Sequence, residues 1–436
     1  MRAPLLSRTQ KGLDTAVSET PTAPRGAGLT RNVVVLGIVS LLTDISSEMT
    51  NTLLPLFLQF DLGVRTAVIG LIEGFAETTA GSTRLFSGWF SDRLGKRKGL
   101  TIVGYGLSAV SKPFLYFATV WGTVFGVRFS DRLGKGIRTA PRDALIADSS
   151  AADKRGLSFG FHRAMDSAGA AIGLTAAAAI IYVLQKNSLT LLPGVYRALV
   201  LWAMIPGFLG VAVLWLFTRE IARRRDPNAK PPKLSFRDLD IRFKLFIAIV
   251  VVFTLGNSSD AFLVLRAQNV GLSVFHIALV LILFNAVYTV IATPAGALSD
   301  KWGRTRVIAV GWLLYGLVYL GFALARAGWH IWALYALYGA YYGITEGTAR
   351  ALVGDVVRED QRGTAYGIYN AAVALTVLPA SIIAGVLWQG IGPYHWEHPS
   401  APFYFGAAMS LLALLLLVAW LPTARIGAPQ SSESKP

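Results

Sequence analysis

Residues 88–98 read GWFSDRLGKRK, and residues 296–306 read GALSDKWGRTR. Glycine, serine, aspartate, glycine and base recur in the same order at an offset of 208. A second pair of segments, ADSSAADKRGLSFGFHRA at 147–164 and GDVVREDQRGTAYGIYNA at 354–371, repeats at an offset of 207. Chance explains such agreement poorly, so the chain reads as two copies of one unit. A weaker echo, Ser46-Ser47-Glu48 against Ser258-Ser259-Asp260, has an offset of 212 and is not independent proof.

Composition says what solvent surrounds that unit. Of 436 residues, 53% are hydrophobic and 15% are charged, against about 25% charged in ordinary soluble domains. The mean hydropathy is +0.51. A soluble fold of this size has too little interior to hide so much apolar surface, so lipid is the expected surrounding. Disordered chains are polar, which excludes that class. With no cysteine in the chain, there is no disulfide framework, thiolate metal site or cysteine nucleophile.

Crossing a bilayer as a helix takes about 20 predominantly apolar residues. Twelve such stretches are expected, near 33–58, 67–91, 100–118, 120–139, 159–184, 196–218, 244–266, 275–299, 307–325, 330–350, 363–388 and 402–421. Pro55, Pro113, Pro206, Pro294 and Pro379 fall inside them, which neighbouring helices in a membrane bundle tolerate. The expected fold is an all-α polytopic membrane protein, its twelve transmembrane helices arranged as two pseudo-symmetric six-helix bundles. Residues 1–32 form an expected cytoplasmic tail without the features of a signal peptide. The bundles are expected at 33–218 and 244–422, joined by a basic, Pro-Pro-containing linker at 219–243, with a tail at 423–436.

With twelve spans, both tails and the even-to-odd loops share one face. That face carries 32 Lys and Arg, against 5 on the other: Arg65, Lys186, Arg197, Arg266 and Arg326. The bias puts both termini in the cytoplasm, in a plasma membrane of the bacterial inner-membrane kind. It also accounts for the net charge of +16 without nucleic acid as a partner.

A charge at mid-bilayer costs about 2.5–3.5 kcal/mol even on mild insertion scales, so ionisable residues inside spans face the bundle interior and have a task. Asp44 and Glu48 in span one lie four residues apart, hence on one face with Ser47 and Asn51. Two carboxylates so close repel when both are charged, which favours binding and exchange of a proton. A structural pair satisfied by neighbouring arginines is the competing reading. Span two holds Glu73 and Glu77, the latter central, the former nearer the outside where water reaches it. Arg128 is central in span four, with Asp44, Glu48 or Glu77 as expected partners. Span five begins with His162, Arg163 and Asp166 near its cytoplasmic end, where an interfacial role competes with transport.

The second half is poorer in charge. Asp260 and Glu346 are its main buried acids, and Tyr369 and Asn370 replace His162 and Arg163 in the repeat. Ion chemistry is therefore expected in the first half. Asn285, Tyr288, Tyr338, Tyr341, Tyr342, Tyr369 and Asn370 are expected to form a cavity wall from the second. Residues 128–148 crowd Arg138, Arg142, Asp143 and Asp148 at the cytoplasmic end of span four and the loop after it. A gate-side ion-pair network is the expected role. An anion-binding vestibule is the rival, although the glycine spacing is not that of a P-loop.

The 88–98 segment resembles the G-x-L-a-D-R-x-G-R-R signature of the major facilitator superfamily, found between spans two and three, and its copy at 296–306 falls between spans eight and nine as in that family. Arg128 with Gly134 and Gly136 is loosely similar to the family's span-four arginine motif. Gly160, Gly169 and Gly173 fit its antiporter-associated glycine motif in span five, with Leu174 where proline usually follows. The resemblance covers about residues 32–422. It implies that Asp92 meets the end of span eleven near Gly363, and that Gly88, Asp92, Arg93, Gly95 and Arg97 latch the cytoplasmic side shut in the outward-open state. It implies a like part for Asp300 and Arg304 in the copy.

The resulting expectation is a secondary active transporter working by alternating access between rigid halves. Proton-coupled export of a small molecule leads, with Asp44, Glu48, Glu77, Arg128, His162, Arg163, Asp166, Asp260 and Glu346 as candidates for coupling and cargo. Proton-driven uptake of an anionic solute is the same-fold rival, and a transporter-like membrane sensor a further one. No H-E-x-x-H motif is present, and the letters GLSFG at 156–160 lead into an expected helical span rather than the strand-to-helix turn of a G-x-S-x-G nucleophile elbow, so no enzyme activity, metal site or cofactor is expected. The expected partners are a small-molecule substrate, protons and the lipid bilayer, for a chain acting as a monomer.

Overall fold

Breaks and caps written in the sequence divide the chain into twelve helical spans. In the computed structural model the described residues are 29–94, 96–151, 154–186, 188–221, 239–357, 361–390 and 398–425. The first half contains α1 (Arg31–Asn51, continued by Leu54–Leu56 and a π-helical turn Phe57–Asp61), α2 (Thr66–Leu94), α3 (Lys98–Ser111, continued by Pro113–Tyr116), α4 (Trp121–Ser149), α5 (Arg155–Gln185) and α6 (Pro193–Phe217). The second contains α7 (Ile241–Gly256, resuming as Ala261–Asn269), α8 (Val274–Trp302), α9 (Arg304–Leu324), α10 (Gly328–Val356), α11 (Arg362–Gln389) and α12 (Ala401–Arg425). Pro55 and Pro113 each stand in the first turn of a resumed segment, where no backbone donor is needed. Asp240 and Ser273 cap α7 and α8 by accepting from the backbone N–H groups of Arg242 and His276. The chain is an all-α polytopic membrane protein in two six-helix groups, as the repeat implies.

Eight spans are long and apolar enough to cross a membrane on composition alone. The other four are α2, α3, α4 and α10. α2 and α4 carry ion pairs along their length, α3 is interrupted at Lys112, and α10 is rich in tyrosine and tryptophan. Helices whose polar groups satisfy one another inside the protein need less hydropathy facing lipid.

Span four differs from expectation. The predicted loop after residue 139 is helical, and α4 runs to Ser149 with Pro141 inside it. Leu145 and Ile146 explain this, because they are fully buried against Val33, Leu36 and Val39 of α1. Ser149 also accepts from the Asn32 amide at 3.1 Å. Burial of the extra turns outweighs the propensity of a Pro-containing polar stretch.

Within the first half α1 packs on α5 and α6, and α4 on α2 and α3. Within the second, α8 packs on α10, and α9 on α10 and α12. The halves meet along α2 against α11 and along α5 against α8. Small residues allow the first of these contacts. Gly70 lies on the Ser381 backbone, Gly74 on Leu378, Gly81 on Ala374, and Gly385 on Ala67. Thr78 donates to the Ala374 carbonyl at 2.6 Å across the same seam. These contacts run from the helix ends away from the basic loops to mid-helix. At that same end the Val274 N–H donates to the Ser188 carbonyl at 3.1 Å.

Candidate functional site

A cavity of about 750 Å³ lies between the two halves. It reaches from Pro55 and Val264 to Arg84, Leu85 and Ala140 toward the basic face. The first half contributes Glu48, Asn51, Thr52, Glu73, Glu77, Arg128 and Arg132. The second contributes Asn257, Ser258, Ser259, Asp260, Phe284, Asn285, Tyr342 and Asn370. Apolar wall comes from Leu174, Leu281, Val373 and Val377. Such a volume suits a drug-sized organic molecule, which needs roughly 300–1,000 Å³.

Parallel helices set the charge pattern on the first-half wall. α2 and α4 run in the same direction, and each carries two ionisable residues one turn apart. Arg128 donates from Nε to Glu73 Oε1 at 3.1 Å and from Nη2 to Glu73 Oε2 at 2.6 Å. Arg132 pairs with Glu77 at 3.0 Å. Glu73 is thus the partner of Arg128, in place of the expected Asp44, Glu48 or Glu77, and it is only 3% exposed rather than wetted from outside. The fork-shaped guanidinium meets a carboxylate in two places, the geometry that makes a buried ion pair tolerable. The arginine's Nη1 has no hydrogen-bond partner among the described residues. Further along, Arg84 approaches Asp143 at 3.6 Å, and Arg142 donates to Asp143 at 2.8 Å.

The acids of α1 sit where α5 presses closest. A Cβ built on Gly169 would lie 2.5 Å from the Leu41 carbonyl and 3.1 Å from the Asp44 Cβ. One on Gly173 would lie 2.7 Å from the Ile45 carbonyl and 3.1 Å from the Glu48 Cβ. Two glycines of the span-five motif therefore bring α5 onto the acid-bearing face of α1, and Gly160 meets nothing. Glu48 accepts from Thr52 at 2.9 Å. Lys112, 3% exposed, donates to Ser46 at 2.7 Å and Ser47 at 3.1 Å beside it. Asp166 turns toward α1, and neither it nor His162 lines the cavity. The Asp166 carboxylate accepts from Ser40, and His162 lies 3.6 Å from it.

In the second half the break of α7 at 257–260 brings an Asn-Ser-Ser-Asp stretch to the cavity. Asp260 accepts from the Tyr338 hydroxyl at 2.6 Å. Tyr341 is buried in an aromatic stack with Tyr315 and Tyr338 and lies behind the wall, since ring packing there outweighs a place on the surface. Tyr369 is half-buried against the core. Tyr288 forms a bridge between the halves, accepting from Arg163 at 2.9 Å and donating to Glu346 at 2.7 Å. Glu346 is completed by Arg350 at 3.1 Å.

At the basic face the repeat produces two matching ion pairs. Arg97 pairs with Asp148 in the first half, and Arg304 with Asp355 in the second. Asp148 and Asp355 occupy the same repeat position, whereas Arg97 and Arg304 are one residue out of register in the loop. Arg304 also meets Asp300 at 3.1 Å. Glu220 accepts from the backbone N–H groups of Arg97 and Lys98, both at 2.9 Å. Arg93 is exposed, its guanidinium 5.4 Å from the Trp89 ring centre, and Gly88 lies against Ala140 of α4. Gly95, the Asp92 side chain, and most of both tails and of the linker fall outside the described residues, and the implied Asp92 contact with α11 falls outside them too.

Three residues missed or discounted in the sequence are prominent here: Glu73, Arg132 and the Thr52 that caps the Glu48 carboxylate. The two ion pairs between α2 and α4 carry a sequence signal. Glu73 to Arg128 and Glu77 to Arg132 share one offset of 55, as two parallel helices in register require.

Comparison with known proteins agrees with this architecture. The family model described as Major Facilitator Superfamily matches residues 36–265 and 245–436. An uncharacterized MFS-type transporter of Methanocaldococcus jannaschii is 37% identical over 402 residues, covering 89% of this chain and 95% of its own length. The class B tetracycline resistance protein of Escherichia coli is 26% identical over 145 residues, 33% of this chain and 34% of its own. A crystal structure of a mutant of the nucleoside transporter NupG superposes with a TM-score of 0.74 at 12% identity, covering 89% of this chain and 99% of that one.

Proposed function

The chain belongs to the major facilitator superfamily, and from that premise we propose that it exports a small molecule across a bacterial inner membrane in exchange for protons, by alternating access. The observation that carries this reading is the cavity of about 750 Å³ between the halves, lined by carboxylates from both. The basic face is taken as cytoplasmic from its excess of Lys and Arg. The halves touch at the other face, so the cavity belongs to an inward-facing state ready to load from the cytoplasm. Rocking about the α2–α11 and α5–α8 contacts would exchange which side is sealed.

Asp44 and Glu48 are assigned to proton coupling. Among the described residues neither carboxylate makes an ion pair, and α5 packs directly beside them at Gly169 and Gly173. A carboxylate without a fixed counter-ion can alternate between proton and cargo, which links the two fluxes. Export draws support from the partial likeness to a tetracycline resistance protein. Arg84, Arg128 and Arg132 give little support to an anionic cargo, because each is already matched with an acid. The reading assigns no catalytic residue and no cofactor.

The test is flux in proteoliposomes with an imposed pH gradient and an internal pH dye, across a panel of cations, anions and neutral solutes. Cargo-dependent proton movement opposite to the cargo, lost in Asp44→Asn/Glu48→Gln, is the expected result. Protons travelling with the cargo would reject export, and no flux with any solute would reject transport.

A further inference from the structure

We propose that the cargo is an organic cation, held between Glu48 of the first half and Asp260 of the second. This rests on the transporter reading above and names its substrate class. Four carboxylates line the cavity: Glu48, Glu73, Glu77 and Asp260. Arg128 neutralises Glu73 and Arg132 neutralises Glu77, while the third lining arginine, Arg84, faces Asp143. Glu48 and Asp260 remain. Their partners are the neutral hydroxyls of Thr52 and Tyr338, and among the described residues no Lys or Arg nitrogen lies within 4 Å of either. Lys112 stands near Glu48, but its ammonium is directed at the Ser46 and Ser47 hydroxyls.

A carboxylate that faces the cavity with only a neutral donor has no counter-ion from the protein, and a cation brought by the cargo supplies one. The two acids occupy matching places. Each follows a Ser-Ser pair, one in the first span of its half and one in the break of the seventh. Their offset of 212 is five beyond that of the second repeat pair. The break in α7 supplies a local reason for the slippage, and both residues reach the same cavity.

Size and wall composition decide between an inorganic and an organic ion. About 750 Å³ is far more than a bare alkali ion fills. Phe284 and Tyr342 present aromatic rings set edge to face at 5.5 Å. Such rings attract cations on their faces. Leu281, Val373 and Val377 supply apolar wall. The site thus fits a bulky, partly aromatic cation whose charge sits between the halves, so that its binding draws on both at once.

The test is equilibrium dialysis of the full chain in detergent with tetraphenylphosphonium and with tetraphenylborate, ions of like size and opposite charge. The proposal expects saturable binding of the cation and at least roughly tenfold weaker binding of the anion, a ratio in the range of one charge-assisted contact. Glu48→Gln and Asp260→Asn should each weaken cation binding by about tenfold or more. Glu48→Asp and Asp260→Glu should retain it, which separates lost charge from lost fold. Absence of saturable cation binding, preference for the anion, or neutral variants that bind like the parent would each overturn the proposal. The transporter reading is judged by the proteoliposome assay. Proton movement driven by anions or neutral solutes alone would preserve that reading while removing this one.

Discussion

Glu73→Gln is the sharpest perturbation of the first-half scaffold. It removes the negative partner of Arg128 while keeping shape and hydrogen-bonding capacity. Both residues are nearly sealed from solvent, at 3% and 5% exposure, and they meet in two contacts of 3.1 and 2.6 Å. Removing one member of such a pair leaves an uncompensated buried charge, a loss of about 3–5 kcal/mol. At about 1.4 kcal/mol per tenfold, that lowers the folded-to-unfolded ratio by roughly a hundred- to several-thousandfold. Glu77→Gln should cost far less, because the Glu77 side chain is 40% exposed and water screens its pair with Arg132. The double variant Glu73→Gln/Arg128→Gln removes the orphan charge as well, so it should recover part of the loss, with a coupling of about 1–3 kcal/mol. Equilibrium unfolding in mixed detergent micelles reads all three. A Glu73→Gln protein within about 0.5 kcal/mol of the parent, or strictly additive singles, would refute the claim that this pair is buried and mutually dependent.

Two further outcomes follow from close packing and from the repeat. Gly173→Leu should force α5 away from α1 at Ile45 and Glu48, abolishing cargo-driven proton flux while Gly160→Leu, facing open space, leaves it intact; equal effects of the two on vesicle flux would count against the glycine assignment. Arg97→Gln and Arg304→Gln each break a matching ion pair at the basic face, so both should raise protease cleavage at the loop that follows their own span pair; cleavage unchanged in both would remove the ion pairs from the account.

Much of the fold was legible because lipid enforces a simple code. Hydropathy located the spans, and the repeat at 88–98 and 296–306 divided them into two groups. Failures came where tertiary contacts override local pattern. The end of α4 reads as a loop, with Pro141 among polar residues, yet Leu145 and Ile146 are buried against α1 and keep it helical. The candidate site was legible as a set of buried charges but not as pairs. Sequence depth alone cannot tell whether Glu73 is wetted, because that depends on which helix covers it. Tyr341 and Tyr342 are neighbours of one chemistry, and only their rotation on α10 sends one into the stack and the other to the cavity. The Arg97–Asp148 and Arg304–Asp355 pairs hid behind a one-residue shift, since a long flexible guanidinium reaches its acid from either of two adjacent loop positions.

Alternating access can be measured directly in this naturally cysteine-free chain. Spin labels at Leu189→Cys and Gln268→Cys would report the face where the halves now touch, and labels at Leu157→Cys and Trp302→Cys the basic face. Pulsed electron-resonance distances in lipid nanodiscs, recorded across pH with and without tetraphenylphosphonium, should shift in opposite senses, the first pair lengthening as the second shortens. One unvarying distribution for both pairs under every condition would contradict the account.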